Sequence, residues 1–455
     1  MKIKFIYPKF DKFLETYPEL AEMPAIAATW AFTMPPASGI PIMAGLTPDD
    51  IEWHVQDQNI EEINFEDDSD LIAISYFTPQ ASYAYDIGDE FMRRGKTVIM
   101  GGMHPSMIPE DASGHGHSIC IGEVDTLWQK IIEDFREGQL KPVYKACTHP
   151  APYEIRSPKP DTFDLKKYDW HASLVSITRG CPYNCSWCNI PIYQGREIRF
   201  RPIDTVTEDI RKLSGKEFYI TDDAIMLNRE NSYKYFMEFC TRVRDYNVSM
   251  FLSCSPAMNS DTKFLNAIAR AGTKNLYMVF ASDTISKMFY MGNKSIWEKC
   301  INLVKAIKDC GIHFFGSFSV GFDFAGENQF DLILEFCEKA GIKTVEFFIA
   351  TPFPNTPFWH QIKEENRFIL PINWKKYNCA NVVFKPKLIT KEKLLEGFRY
   401  IWKEFYKDAD YEEVLSTFRL SAENVLKSKE YSKKVKDAVV KGLDTSKKLY
   451  LANQA

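Results

Sequence analysis

LVSITRGCPYNCSWCNIPIYQGREIRFR, residues 174–201, is the stretch on which the reading of this chain turns. It opens as an apolar strand, Leu174–Thr178, and breaks at Arg179-Gly180. Cys181, Cys185 and Cys188 follow with the spacing C-x3-C-x2-C. A strand that ends in a glycine turn and opens into a loop puts its thiolates at the carboxyl edge of a sheet, where α/β proteins keep their sites. Thiolates select zinc or iron–sulfur clusters. A closed zinc site needs four ligands, and no His or further Cys lies near enough in sequence to complete the set. Three thiolates suit a four-iron cluster with one iron open, because closed clusters take four cysteines. The same spacings also fit three core cysteines on one face of a helix. Pro182 and Asn184 oppose that alternative, since they favour loop.

Downstream the chain repeats a strand–helix rhythm. Glu217–Thr221, Ser249–Ser253, Asn275–Ala281, His313–Val320 and Thr344–Thr351 read as strands, separated by amphipathic segments. Counting Leu174–Thr178, six such units predict an open partial (β/α)6 barrel over 173–373, with active residues at the carboxyl ends of the strands. Upstream, residues 1–147 alternate continuous apolar strands with helices, which predicts a doubly wound parallel sheet. No G-x-G-x-x-G follows its first strand. Residues 148–172, rich in Pro, Lys and Asp, read as a linker, and 374–455 as a helical C-terminal region.

At 455 residues the chain is long enough for two or three domains. Lys+Arg 56 against Asp+Glu 61 leaves a formal charge of −5, which offers no basic footprint for nucleic acid. No apolar run approaches the roughly 20 residues of a membrane span, and no signal peptide precedes Met1-Lys2-Ile3-Lys4. Outside the central three, the cysteines are scattered through apolar segments as reduced core thiols. These features predict a cytoplasmic protein. Aromatic residues reach 14%, enough to leave an apolar substrate pocket after the core is filled.

With Trp187 ahead of the last cysteine, the motif resembles the signature of the radical S-adenosylmethionine (SAM) enzymes. The resemblance implies a [4Fe-4S] cluster on Cys181, Cys185 and Cys188. Its open iron is chelated by SAM, which an external donor such as flavodoxin or ferredoxin cleaves reductively. At the strand ends the resemblance assigns SAM contacts to Asp222 or Asp223, Ser253, Ser282 and Thr351. The segment TPFPNTP, 351–357, is similar to the family's T-P-x-P-G-T-P, with Asn355 in the place of Gly. Ala281 stands where relatives often carry a glutamate.

The first third resembles the cobalamin-binding domain that precedes many radical SAM domains, through residues 35–48, 70–85, 98–112 and 121–128. That likeness assigns Thr78, Gly101, Gly102, His104, Gly122 and Glu123 to the corrinoid-facing loops. The D-x-H-x-x-G motif whose His ligates cobalt is absent. The expected function is cobalamin-dependent C-methylation of an unactivated carbon on a large, apolar small-molecule substrate. Two rivals stand beside it: an oxidoreductase performing hydroxylation or ring closure on a tetrapyrrole, and a non-catalytic cobalamin or iron–sulfur sensor.

Overall fold

The computed structural model describes residues 1–23, 25–27, 36–169, 172–222, 226–281, 283–409 and 411–417, with isolated residues beyond. The first unit is a parallel sheet of β1 (Lys2–Tyr7), β2 (Glu52–Asp57), β3 (Leu71–Ser75), β4 (Thr97–Gly101), β5 (Ser118–Ile121) and β6 (Val143–Lys145). Its order is β2-β1-β3-β4-β5-β6. The winding reverses between β1 and β3, and such a switch point opens a crevice at the carboxyl strand ends. The central strands are buried on both faces, which explains their continuous apolar sequence. Ile3, Phe5, Leu71 and Ile99 pack with Trp128 in one core. Ile72, Ile74, Val98 and Met100 belong to a second core that continues into the rest of the chain.

The second sheet is also parallel: β7 (Ser173–Val175), β10 (Glu217–Ile220), β11 (Ser249–Cys254), β12 (Thr273–Phe280), β13 (His313–Val320) and β14 (Val345–Ile349). All six expected strands are present, in the unbroken order β14-β13-β12-β11-β10-β7. Right-handed crossovers in a sheet wound one way place all the intervening helices on one face. Phe218, Leu252, Leu276, Phe318 and Phe347 fill that face. The alternate residues Tyr219, Phe251, Tyr277, Phe315 and Glu346 are left to the inner face, where they line a cavity.

The first expected strand is interrupted. It ends at Val175 and resumes as β8 (Thr178–Arg179), which pairs antiparallel with β9 (Arg199–Phe200). Within residues 148–172, Phe163 and Tyr168 are buried in the core of the first unit, and the Tyr168 hydroxyl donates to Asp57 at 3.0 Å. Helix Lys391–Tyr406 forms as expected, capped by Thr390. Most of the tail from 418 onward lies outside the described residues. Among the described residues no helix is long and apolar enough to cross a membrane.

Candidate functional site

The β8–β9 pair is the frame of the cysteine loop. Gly180 leaves β8 at φ +91°, and a Cβ there would run into the carbonyl of Glu197. Gly180 N–H donates to Gln194 Oε1 at 3.0 Å and Cys181 N–H to the Gly195 carbonyl at 3.1 Å, so the loop is stitched to the strand that returns from it. Cys181 is buried against Leu227, Tyr183, Ile190 and Ile198, while Cys185 and Cys188 are half-buried. Two ties fix the loop over the second sheet. Trp187 Nε1 donates to the Ala281 carbonyl at 2.6 Å, just past β12. Phe358 N–H donates to the Ser186 carbonyl at 2.9 Å, just past the 351–357 segment. Thus the helix that opens at the end of TPFPNTP is tied to the cysteine loop, with Asn355 in the segment left-handed at φ +62° as a glycine would be.

Among the described residues no three His, Cys, Asp or Glu side chains converge as around a single metal ion. A four-iron cluster needs a different arrangement, because each thiolate takes a separate corner iron and the sulfurs stay apart. The donor set is soft, lies in one short loop and has apolar neighbours, which fits such a cluster.

Asp222 is nearly fully buried just past β10. Its carboxylate accepts from Ile177 N–H at 2.9 Å and from Thr178 N–H. Burial pushes the carboxyl up to about 6, against the attraction of Arg179 and these backbone donors. This bonding turns the backbone of 177–178 away from β10 and so accounts for the interrupted strand. Ser253 lies one residue before the end of β11, with its hydroxyl 2.7 Å from that of Tyr219. Thr351 is buried and donates to the Ile349 carbonyl at 3.0 Å. Asp223 and Ser282 lie outside the described residues.

The carboxyl ends of the first sheet face the inner side of the second across a cavity of about 980 Å³. Gly101, Gly102 and Gly122 line it. At Gly102, φ is +102° and a Cβ would come within 2.7 Å of the Tyr76 carbonyl, so only a glycine lets the backbone run at that edge. Ile40, Ile42, Met43 and Phe77 add apolar wall. Glycine edges and apolar walls at a switch point suit a large flat cofactor.

Three residues assigned by sequence to the cofactor already have partners within the protein. His104 is fully buried outside the cavity lining, with Nδ1 3.2 Å from Thr78 Oγ1 and Nε2 3.0 Å from the Tyr85 hydroxyl. Burial lowers its pKa below the usual histidine value. Both ring nitrogens therefore have partners within the first unit. Glu123 lines the cavity, and it also carries ion pairs from the end of β5 to the β8–β9 pair. Its Oε2 accepts from Arg199 Nη2 at 2.8 Å and lies 3.1 Å from His149 Nδ1, and Arg179 Nε is 3.5 Å from Oε1. Burial raises the Glu123 pKa against the pull of both arginines. The Tyr193 hydroxyl adds a bond to the Gly122 carbonyl at 3.1 Å. Arg179 and Arg199, neighbours in the β8–β9 register, were missed by sequence reasoning because their two-residue strands give no periodic signal.

Residues 175–337 match the model of the radical SAM superfamily. The chain is 31% identical over 351 residues to the bacteriochlorophyllide d C-12(1)-methyltransferase of Chlorobaculum tepidum, covering 74% of this chain and 75% of that protein. It is 28% identical to the bacteriochlorophyllide d C-8(2)-methyltransferase of the same organism, covering 80% and 85%. Among solved structures, the radical SAM methyltransferase TsrM from Kitasatospora setae superposes with a TM-score of 0.64 at 15% identity, covering 88% of each chain. The cobalamin-dependent SAM radical enzyme OxsB superposes at 0.66 and 14% identity, covering 98% of this chain and 71% of that one. The two structures share the fold, and the identity to the first relative extends well beyond the cysteine loop. The cysteine motif, the six-stranded sheet behind it and these matches have one explanation: this chain is an enzyme that belongs to the radical SAM superfamily.

Proposed function

We propose that the chain is a cobalamin-dependent radical SAM C-methyltransferase. In this reading the first sheet is a cobalamin-binding-type unit, the second a partial (β/α)6 barrel, and the domains divide at 147, 172 and 373. Cys181, Cys185 and Cys188 would hold the [4Fe-4S] cluster. SAM would meet the strand ends near Asp222, Asp223, Ser253, Ser282 and Thr351. When bound, the cluster and SAM supply a 5′-deoxyadenosyl radical, and the corrinoid supplies the methyl group. The chain's own residues bind, orient and exclude water. Trp187 and the helix that opens at the end of 351–357 hold the cysteine loop against the sheet, and Glu123 with Arg179 and Arg199 ties the end of β5 to the β8–β9 pair.

The balance for an acceptor R–H is two SAM and two electrons giving R–CH3, S-adenosylhomocysteine, 5′-deoxyadenosine and methionine. The electrons would come from a flavodoxin- or ferredoxin-type donor. The observation that carries this reading is the continuous cavity between the glycine-edged strand ends and the inner face of the second sheet. The names of the two bacteriochlorophyllide relatives support a large, flat tetrapyrrole as acceptor, and the apolar cavity walls agree with it. Methylation is favoured over ring closure or hydroxylation because both relatives are methyltransferases.

The ultraviolet–visible spectrum of anaerobically purified, cobalamin-supplied protein tests the cofactor set. Cluster charge-transfer absorption and a corrinoid without an imidazole on cobalt are expected. A cluster with no retained corrinoid would return the chain to the oxidoreductase reading.

A further inference from the structure

Deep in the cavity, on the inner face of the second sheet, stands a carboxyl group that the proposed chemistry does not use. Glu346 of β14 is 8% exposed and lines the cavity. The Tyr277 hydroxyl donates to its Oε1, and Ser317 is its register neighbour on β13. Around it on the same face are the rings of Tyr219, Phe251, Tyr277 and Phe315, paired edge-on at 5.3 and 5.2 Å. Among the described residues, the cationic side chains that line this cavity are Lys12 and Arg179, neither of them on this sheet, and Arg179 is paired with Glu123. A buried carboxyl in an aromatic chamber without a cation is most stable neutral. A neutral acid that accepts from Tyr277, with Ser317 beside it, still has an O–H of its own to donate.

The geometry points to Glu346, presented by Tyr277, as the recognition group for a carbonyl oxygen on the otherwise apolar substrate. The acid at Oε2 donates to that oxygen, and the flat body of the ligand lies among the rings. Aromatic walls hold the ligand by area, and the single donor sets its orientation within the chamber. Burial supports the assignment, since it raises the Glu346 carboxyl to about 7. The other titratable groups packed around it are Tyr277 of β12, Tyr406 of the helix Lys391–Tyr406 and Cys379, and burial raises all three above their ordinary values. Glu217 is the other carboxyl on this face. Recognition of a carbonyl is therefore present below about pH 7 and is lost as Glu346 ionises above it, because an ionised carboxylate only accepts.

The inference depends on the proposed function only in taking this cavity as the substrate chamber. Its test uses no SAM and no corrinoid, so its failure leaves methyl transfer standing. Two flat probes, 9-fluorenone and fluorene, differ by a carbonyl in place of a methylene. Their affinities for the full chain are compared by equilibrium dialysis at pH 6 and pH 8.5. At pH 6 the ketone-to-hydrocarbon affinity ratio is expected to be about tenfold higher in the wild type than in Glu346→Leu, the discrimination of one buried hydrogen bond. At pH 8.5 that advantage should shrink. Glu346→Gln, whose amide still donates, should keep it at both pH values. The carbonyl stretch of bound fluorenone should shift to lower frequency in the wild type and not in Glu346→Leu. An equal ratio in wild type and Glu346→Leu, or no binding of the ketone at pH 6, overturns the assignment.

Discussion

The carboxyl of Asp222 is raised to about 6 by burial, above its unfolded value of 3.8. An acid raised on folding is protonated more readily in the native state, so its stabilising contribution is complete below pH 4 and is lost as pH rises through about 6. The two-unit shift corresponds to about 3 kcal/mol. Thermal unfolding followed between pH 4 and 7 should show that loss in the wild type, and the slope should flatten in Asp222→Asn. The same substitution keeps one acceptor oxygen but turns the other into an NH2 donor beside the N–H groups of Ile177 and Thr178. It should cost about 1–3 kcal/mol and lower iron loading by freeing residues 177–178. A flat wild-type profile with full iron in the variant would contradict the positioning role. The cysteines are a sharper case. Cys181→Ala, Cys185→Ala or Cys188→Ala should abolish iron binding and SAM cleavage with the fold retained, whereas Cys240→Ala should leave iron content unchanged. These three stand out in sequence because their spacing is local. The partners of Asp222 do not, since they lie 44 and 45 residues away.

Elements with a strong apolar pattern were legible, and those made by tertiary contact were not. The strands β10 to β14 of the second sheet could be placed because their residues alternate between helix-facing and cavity-facing sides, as Phe218 and Tyr219 do. β6, β8 and β9 have three residues or fewer, too short for any period to show. His104 is assigned to a corrinoid-facing loop by the likeness of residues 98–112 alone. Only the fold reveals that Thr78, Tyr85 and, at 3.4 Å, Asp111 engage its ring. Gly397 gives the clearest contrast. In sequence it is a single weak point in a helix, tolerated at about 1 kcal/mol. In the fold, a Cβ there would collide with the Phe330 ring on the helix Gln329–Ala340. Gly397→Ala should therefore lower the unfolding midpoint despite alanine's better helix propensity, with an overpacking cost of about 1–3 kcal/mol. An increase would mean that the Phe330 ring yields freely.

At the scale of the molecule, the two sheets are joined by more than a chain crossing. One hydrophobic core runs from Ile72 and Met100 of the first sheet to Val320 and Ile349 of the second. The N-terminal segment reaches across as well, with the Tyr17 hydroxyl donating to the Ala380 carbonyl at 2.6 Å. Glu123 binds the strand ends of the first sheet to Arg179, two residues before Cys181. A cofactor held at the glycine-edged loops would thus sit at a fixed distance from the cysteine loop, as transfer of a methyl group to a substrate radical requires. The most direct test of that claim is product analysis with SAM labelled as CD3, using reduced, cobalamin-supplied protein and a bacteriochlorophyllide d acceptor. The account predicts a trideuterated methyl in the product, with S-adenosylhomocysteine and 5′-deoxyadenosine formed one to one. Turnover that yields 5′-deoxyadenosine with an unlabelled product and no stoichiometric S-adenosylhomocysteine would contradict it.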